Sequence, residues 1–170
     1  MSNQRFISTV EGTLDAKGRV CIPASWRKLL DAQGTGGVYI CPTLEGGSLD
    51  GFGQTLMDSE CERLDGMDAL LSSLHDDLAT HITAESVLLP VDENGRIRLP
   101  ENFIKAAGLK DKVVFVGLGR KFQIWEPEAY APVKAKRLAA ALAERAAQGA
   151  REEAARQAAT PPTTPPIGTP

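Results

Sequence analysis

The segment that decides the fold is Leu14-Asp15-Ala16-Lys17-Gly18-Arg19-Val20-Cys21-Ile22-Pro23, because the chain repeats its pattern 77 residues later as Val91-Asp92-Glu93-Asn94-Gly95-Arg96-Ile97-Arg98-Leu99-Pro100. Asp, Gly, Arg and Pro are identical at corresponding places, and the apolar positions stay apolar. The flanks match as well, since Trp26 corresponds to Phe103. Two copies of one supersecondary unit explain this self-similarity most simply.

Each copy predicts the same order of elements. A β-rich run precedes the Asp, at residues 6–14 and 87–91. Asp-x-x-Gly is a turn signal, because Asp binds its own backbone two residues on and Gly tolerates positive φ. The Arg opens a strand in which alternate residues face the core, and the Pro ends that strand and begins a helix. We expect two further strands after each helix, at residues 38–41 and 48–52 in the first copy and at 113–116 and 122–125 in the second.

These elements divide the chain into five segments. The first repeat occupies residues 1–53 and the second residues 83–137, with linking amphipathic helices at 54–82 that break at Asp65-Gly66. An Ala-rich helical extension follows at 138–159. Residues 160–170 are rich in Pro and uncharged, so we predict a disordered tail there.

The charge of the chain is unevenly distributed. All 170 residues together carry a formal net charge of −3. Residues 1–30 have five basic and two acidic side chains, residues 31–95 one basic and thirteen acidic, and residues 96–170 thirteen basic and seven acidic. Such segregation allows a locally positive surface that could meet phosphates. Charge alone favours an ordinary solvated surface.

Several classes of protein are disfavoured by what the sequence lacks. No apolar run reaches the roughly 18 residues of a membrane span, and the N-terminal residues do not resemble a secretory signal. Cys21, Cys41 and Cys61 form no CxxC pair and are odd in number, which favours buried thiols in a reducing compartment. No phosphate-binding, zinc-protease or serine-hydrolase motif is present. We therefore predict no enzyme activity, no catalytic residues, no metal site, no cofactor, no membrane partner and no small-molecule substrate.

The two Asp-x-x-Gly-Arg-(x)3-Pro segments in tandem resemble the MraZ family of bacterial transcriptional regulators, and residues 113–125 resemble its closing strands. The resemblance covers residues 5–137. It implies an α+β fold in which two tandem AbrB-like repeats form an intramolecular swapped-hairpin β-barrel flanked by helices. It also implies a cytoplasmic, nucleoid-associated, ring-shaped homo-oligomer. Such an oligomer would bind repeated operator boxes in duplex DNA, including its own upstream region, and regulate division and cell-wall synthesis genes.

The resemblance implies that the two Asp-x-x-Gly-Arg loops contact DNA. The predicted DNA-binding residues are Lys17, Arg19, Arg96, Arg98 and Arg5. The predicted turn-structuring residues are Asp15, Gly18, Asp92 and Gly95. Asn94 replaces Lys17 in the second loop, so we expect that loop to contribute less.

Two alternatives stay open at the level of sequence. Arg19 could pair with Asp15 only to stiffen its turn, which would explain the repeated residues without DNA. The whole chain could also be an oligomeric protein-interaction scaffold that does not bind DNA. Affinity for duplex DNA that falls with salt separates a DNA-binding protein from a scaffold.

Overall fold

A computed structural model describes residues 5–159 of the chain. The predicted tail at 160–170 lies outside the described residues. The chain divides after Tyr130 into two compact units, each of which is described by itself.

The first unit contains both copies of the repeat, with the same order of elements in each. The first copy consists of β1 (Thr9–Thr13), β2 (Arg19–Cys21), α1 (Ala24–Ala32), β3 (Gly37–Pro42) and β4 (Ser48–Phe52). Between the copies lie α2 (Gln54–Asp65), α3 (Ser73–Ala79) and a π-helical turn (Thr80–Ala84). The second copy consists of β5 (Val87–Pro90), β6 (Arg96–Arg98), α4 (Glu101–Ala106), β7 (Lys112–Gly117) and β8 (Lys121–Trp125).

Six strands form one antiparallel sheet in the order β1-β7-β8-β4-β3-β5. The first strand of each copy pairs with the third strand of the other copy, since β1 pairs with β7 and β5 with β3. The last strands, β4 and β8, pair at the centre with Asp50 opposite Gln123. The copies are therefore interlocked in one sheet.

The remaining two strands, β2 and β6, form a separate antiparallel ribbon. Val20 stands directly opposite Ile97, which is its own counterpart in the repeat. Both side chains are buried, with 1% of their surface exposed. The ribbon is thus symmetric about this pair and is anchored by it.

The hydrogen-bonded strands of residues 5–159 do not close into a barrel. The large sheet ends at β1 and β5, and the ribbon is not part of it. Pro23 and Pro100 each lie two positions after the last residue of a ribbon strand, and Pro has no backbone N–H to extend a ladder. The α+β class is confirmed, whereas the swapped-hairpin β-barrel expected from the sequence is not, because the strands form a sheet and a separate ribbon.

A cluster of aromatic rings belongs to the same hydrophobic core as Val20 and Ile97 of the ribbon. Phe6, Trp26 and Phe122 pack with ring centroids 5.0–5.5 Å apart, and Phe115 adjoins them. Trp26 also donates from Nε1 to the backbone oxygen of Ile7 at 3.2 Å. Trp26 lies in the core, because only 3% of it is exposed.

The helix α5 (Pro127–Ala159) begins in the first unit and forms the described part of the second. It has no buried residue. Among helices within residues 5–159, none combines the length and the apolar character needed to cross a membrane.

Candidate nucleic-acid interface

The first Asp-x-x-Gly-Arg loop is held by its Asp. The Oδ1 atom of Asp15 accepts hydrogen bonds from the backbone N–H groups of Lys17 and Arg19, both at 2.9 Å. Gly18 has φ +75°, a conformation that L side chains rarely adopt. The second loop has the same geometry: Asp92 accepts from Asn94 and Arg96, and Gly95 has φ +75°.

Each loop also contains an ion pair between its Asp and its Arg. Arg19 Nε donates to Asp15 Oδ2 at 2.7 Å, and Arg96 Nε donates to Asp92 Oδ2 at 3.0 Å. The stiffening pair that the sequence left open is therefore formed in both copies. It engages only Nε, because no described residue accepts a hydrogen bond from the terminal Nη atoms of either arginine. The same guanidinium can brace its turn and present a second edge outward.

The two Asp carboxylates are stabilised in their charged form. The pKa of Asp15 lies below its usual value of 3.8, mainly because the carboxylate accepts the backbone N–H of Arg19 and also its guanidinium N–H. The pKa of Asp92 is lowered in the same way by Arg96. Each Asp–Arg pair is thus formally neutral near pH 7, so further cations set the net charge of each loop.

The ribbon brings three of the predicted DNA-binding arginines onto one face. Arg19 stands opposite Arg98, and Cys21 stands opposite Arg96. All four side chains point away from the core, because Val20 and Ile97 between them point inward. Directly opposed residues have Cβ atoms about 4.5–5.5 Å apart, and like charges so placed destabilise a sheet. We call Arg19, Arg96 and Arg98 the arginine face.

The other two predicted cations lie in different places. Lys17 is exposed and lines a groove of about 400 Å³ together with Arg98. Arg5 lines a pocket beside α1 with Lys28, and no described hydrogen bond or ion pair joins it to the ribbon. The structure therefore places Lys17 beside the arginine face, whereas Arg5 stays a prediction without such a contact.

One basic residue near the loops was not among those predicted from the sequence to bind DNA. The guanidinium of Arg27, on α1, lies against Gly95 of the second loop. An arginine on a helix whose neighbours Trp26, Leu29 and Leu30 are buried was a signal that could have drawn attention to it.

A second group of chemically capable side chains lies away from the loops. Donor atoms of Cys41, Asp50 and His81 lie within 4.8 Å of one another. Both carboxylate oxygens of Asp50 are already engaged, by Lys121 Nζ at 2.9 Å and by Gln123 Nε2 at 3.0 Å. Burial raises the pKa of Cys41 to about 11, so its thiol stays protonated. The Lys121 ammonium already supplies the positive charge beside Asp50 that a metal ion would otherwise supply.

The cysteines are all free thiols, and the expectation that they are buried is wrong for one of them. Cys41 is buried and Cys61 is partly buried, but Cys21 is exposed. The reason is the alternation of β2, which turns position 21 to the outer face of the ribbon.

Comparison with known proteins agrees with the family resemblance that the repeated loops indicated. A family model described as "MraZ protein, putative antitoxin-like" matches residues 82–151. A protein named Transcriptional regulator MraZ from Parvibaculum lavamentivorans is 44% identical over 119 residues, which are 69% of this chain and 73% of that protein. Proteins of the same name from Azorhizobium caulinodans and Xanthobacter autotrophicus are both 41% identical, over 74% and 82% of this chain and 80% and 83% of theirs. The chain belongs to the MraZ family.

Membership confirms the resemblance that the tandem loops indicated, and it makes the chain a transcriptional regulator by family. The MraZ match extends to residue 151, beyond residue 137 where the resemblance in the sequence ended. The MraZ family pattern therefore includes α5 as far as residue 151.

Proposed function

We propose that this chain regulates transcription by binding specific sequences in duplex DNA through the arginine face. The observation that carries the proposal is the placement of Arg19 opposite Arg98 on the outer face of the ribbon, with Arg96 beside them; Arg98 is exposed and the other two are partly exposed. Asp15 offsets part of the charge of Arg19, but the two opposed guanidinium groups still repel each other. The arrangement becomes favourable when an anion lies between them.

The geometry of the arginine face suits DNA. A two-stranded ribbon fits the major groove, where an arginine can bind guanine O6 and N7 with two parallel hydrogen bonds. The ion pairs with Asp15 and Asp92 hold Arg19 and Arg96 through Nε. The terminal nitrogens of both arginines stay available for a base or a phosphate. Lys17, which is exposed next to this face, adds a point charge for the phosphate backbone.

We also infer an AbrB-like, swapped-hairpin relationship between the two copies. The exchange of β1 and β5 between the copies supports it. The ribbon supports it as well, because β2 and β6 pair symmetrically about Val20 and Ile97.

The active form that we propose is a ring-shaped homo-oligomer in the cytoplasm, associated with the nucleoid. Two features support self-association: the sheet has two edge strands, and large apolar side chains are exposed in the same unit. They include Ile7, Leu44, Val87, Leu88 and Leu118. An exposed sheet edge offers unpaired backbone groups to a strand of another chain, and contiguous exposed apolar groups mark interaction surfaces. Several ribbons in one particle would also gain about 10²–10⁴ in avidity for repeated operator boxes.

The proposal is tested with DNA from the region upstream of the chain's own gene and of division and cell-wall genes. Binding and footprints are compared with shuffled DNA at low and moderate salt. The decisive variant replaces Arg19, Arg96 and Arg98 by Gln, and its charge-matched control replaces the exposed residues Lys134, Lys136 and Arg145 of α5. We expect salt-dependent binding that only the ribbon variant loses. If the folded wild-type chain does not bind DNA at either salt concentration but does bind other proteins, the scaffold function is supported instead.

A further inference from the structure

We propose that Arg27, on helix α1 of the first copy, is a DNA-contacting residue of the second loop. It supplies the additional cation that this loop lacks because Asn94 stands where the first loop has Lys17. The inference rests on the proposed DNA-binding function and adds a contact residue that the loop motif does not contain.

The first argument is position. A Cβ atom built on Gly95 would overlap the guanidinium of Arg27, so the charged end of this side chain lies directly on the loop. Gly95 precedes Arg96 in the chain, and Arg96 belongs to the arginine face. The guanidinium groups of Arg27 and Arg96 therefore lie at the same end of the ribbon.

The second argument is the absence of a protein partner for Arg27. Its Nε is the one buried side-chain nitrogen or oxygen among the described residues that has no hydrogen-bond partner. Nor does any residue within 5–159 form a hydrogen bond or ion pair with its terminal nitrogens. Nε is enclosed by protein, so only the terminal nitrogens, which are not fully buried, can meet a ligand. A guanidinium held against a loop without an acceptor points to an anion that reaches these terminal nitrogens from outside the chain.

The third argument comes from the internal repeat. The counterpart of Arg27 in the second copy is Ile104, whose Cδ1 lies 3.2 Å from a Cβ built on Gly18. Both loop glycines are therefore covered by the same helix position of the other copy. Since isoleucine covers Gly18, contact with the loop does not need a charge, and the guanidinium of Arg27 serves another purpose.

The fourth argument is the distribution of charge along the ribbon. The end near the first loop has Lys17, Arg19 and Arg98, because Arg98 stands opposite Arg19. The end near the second loop has Arg96 opposite the uncharged Cys21. Residues 92–96 also contain two acidic side chains and one basic. Arg27 is the cation that makes the second end attractive to phosphate.

The experiment compares Arg27→Gln with Lys28→Gln, which removes an equal charge from the exposed neighbour on the same helix. Each variant is titrated with the upstream duplex DNA at several salt concentrations, and its melting temperature is measured. We expect Arg27→Gln to lower affinity about tenfold and to reduce the salt slope by about 0.9 for each engaged loop. Adding Asn94→Lys to Arg27→Gln restores most of the loss, because it places a lysine where the first loop has Lys17.

The possible outcomes separate the two proposals. If wild type binds DNA and Arg27→Gln binds with the same affinity and salt slope, the role of Arg27 is wrong and the proposed function stands. A lowered melting temperature with unchanged affinity of the folded protein makes Arg27 a packing residue and also overturns this inference. If wild type shows no salt-dependent binding, both proposals fail.

Discussion

Arg19 and Arg98 face each other across the β2–β6 ribbon, directly beside the buried pair Val20 and Ile97. Opposed like charges destabilise a sheet, and here the Asp15 carboxylate offsets part of the charge of Arg19. Burying a Val or an Ile contributes about 1.5–3 kcal/mol each. Burial of the inner pair therefore exceeds repulsion on the outer face, and the ribbon stays paired although its arginines repel each other.

Replacing Arg98 by Thr should weaken DNA binding without weakening the fold. Thr suits an exposed strand position, and its introduction removes the repulsion from Arg19, so we expect the free energy of unfolding to stay constant or to rise by up to about 1 kcal/mol. Denaturant unfolding and DNA titration of the same protein test this. Arg120→Thr, in the exposed turn between β7 and β8, is the control and should change neither quantity. A less stable protein with unchanged DNA affinity would make Arg98 a structural residue.

Replacing Arg19 by Ala should reduce DNA affinity by about 1–3 kcal/mol for each engaged loop. The melting temperature should change little, because the Asp15–Arg19 pair is partly exposed and such pairs contribute about 0–1 kcal/mol. We expect a smaller affinity loss for Arg96→Ala, since the end of the ribbon near the second loop has fewer cations. A larger loss for Arg96→Ala would show that the second loop contributes more to DNA affinity than the first. A lower melting temperature with full DNA affinity would show that both arginines only stabilise their turns.

The loops could be predicted from sequence because their determinants are local. Asp15 and Gly18 lie within one turn, and the hydrogen bonds that hold the turn join residues two to four positions apart. Alternation over three residues was likewise enough to place Val20 and Ile97 in the core. The internal repeat then transferred each conclusion to the second copy.

Features that depend on distant contacts could not be derived from these patterns. The pairing of β1 with β7 joins strands about a hundred residues apart, and no local pattern specifies it. The approach of Arg27 to Gly95 depends on how α1 of one copy meets the loop of the other. The expected barrel is not confirmed, because the short ribbon, followed by Pro23 and Pro100, does not join the large sheet.

Acid should destabilise the protein in part through the two loop carboxylates. The pKa values of Asp15 and Asp92 are lower in the folded protein than the usual 3.8. Their stabilising contribution is therefore complete well above pH 3.8 and is lost as the pH falls below it towards the folded values. We expect Asp15→Asn with Asp92→Asn to flatten the fall in melting temperature below pH 4, measured from pH 7 to pH 2. An unchanged acid profile would show that the loops do not contribute to acid stability.

The chain should be larger than a monomer at micromolar concentration, as measured by light scattering. Leu88 on the edge strand β5 is 45% exposed, and covering it by another subunit would remove apolar surface from water. Leu88→Glu should shift the particle towards smaller species and reduce affinity for repeated boxes more than for a single box, because avidity is lost. The exposed leucine Leu142 on α5 provides the control variant Leu142→Glu. A monomeric wild type that binds one isolated box tightly would contradict the proposed ring.

The two loop glycines should respond differently when each is replaced by Ala. Both have φ +75°, so Gly18→Ala and Gly95→Ala carry the same backbone strain of about 1–2 kcal/mol. The new methyl group at position 18 meets only the end of Ile104 and the backbone oxygen of Leu99, whereas at position 95 it displaces the guanidinium of Arg27. We therefore expect similar losses of melting temperature but a greater loss of DNA affinity for Gly95→Ala.

A double-mutant cycle makes this comparison decisive. If Gly95→Ala acts by moving Arg27, it should lower DNA affinity much less in a protein that already has Arg27→Gln than in wild type. Gly18→Ala should have the same effect in both backgrounds, because Gly18 contacts Ile104 and Leu99 instead. Fully additive losses for Gly95→Ala and Arg27→Gln would show that the guanidinium does not act at the second loop.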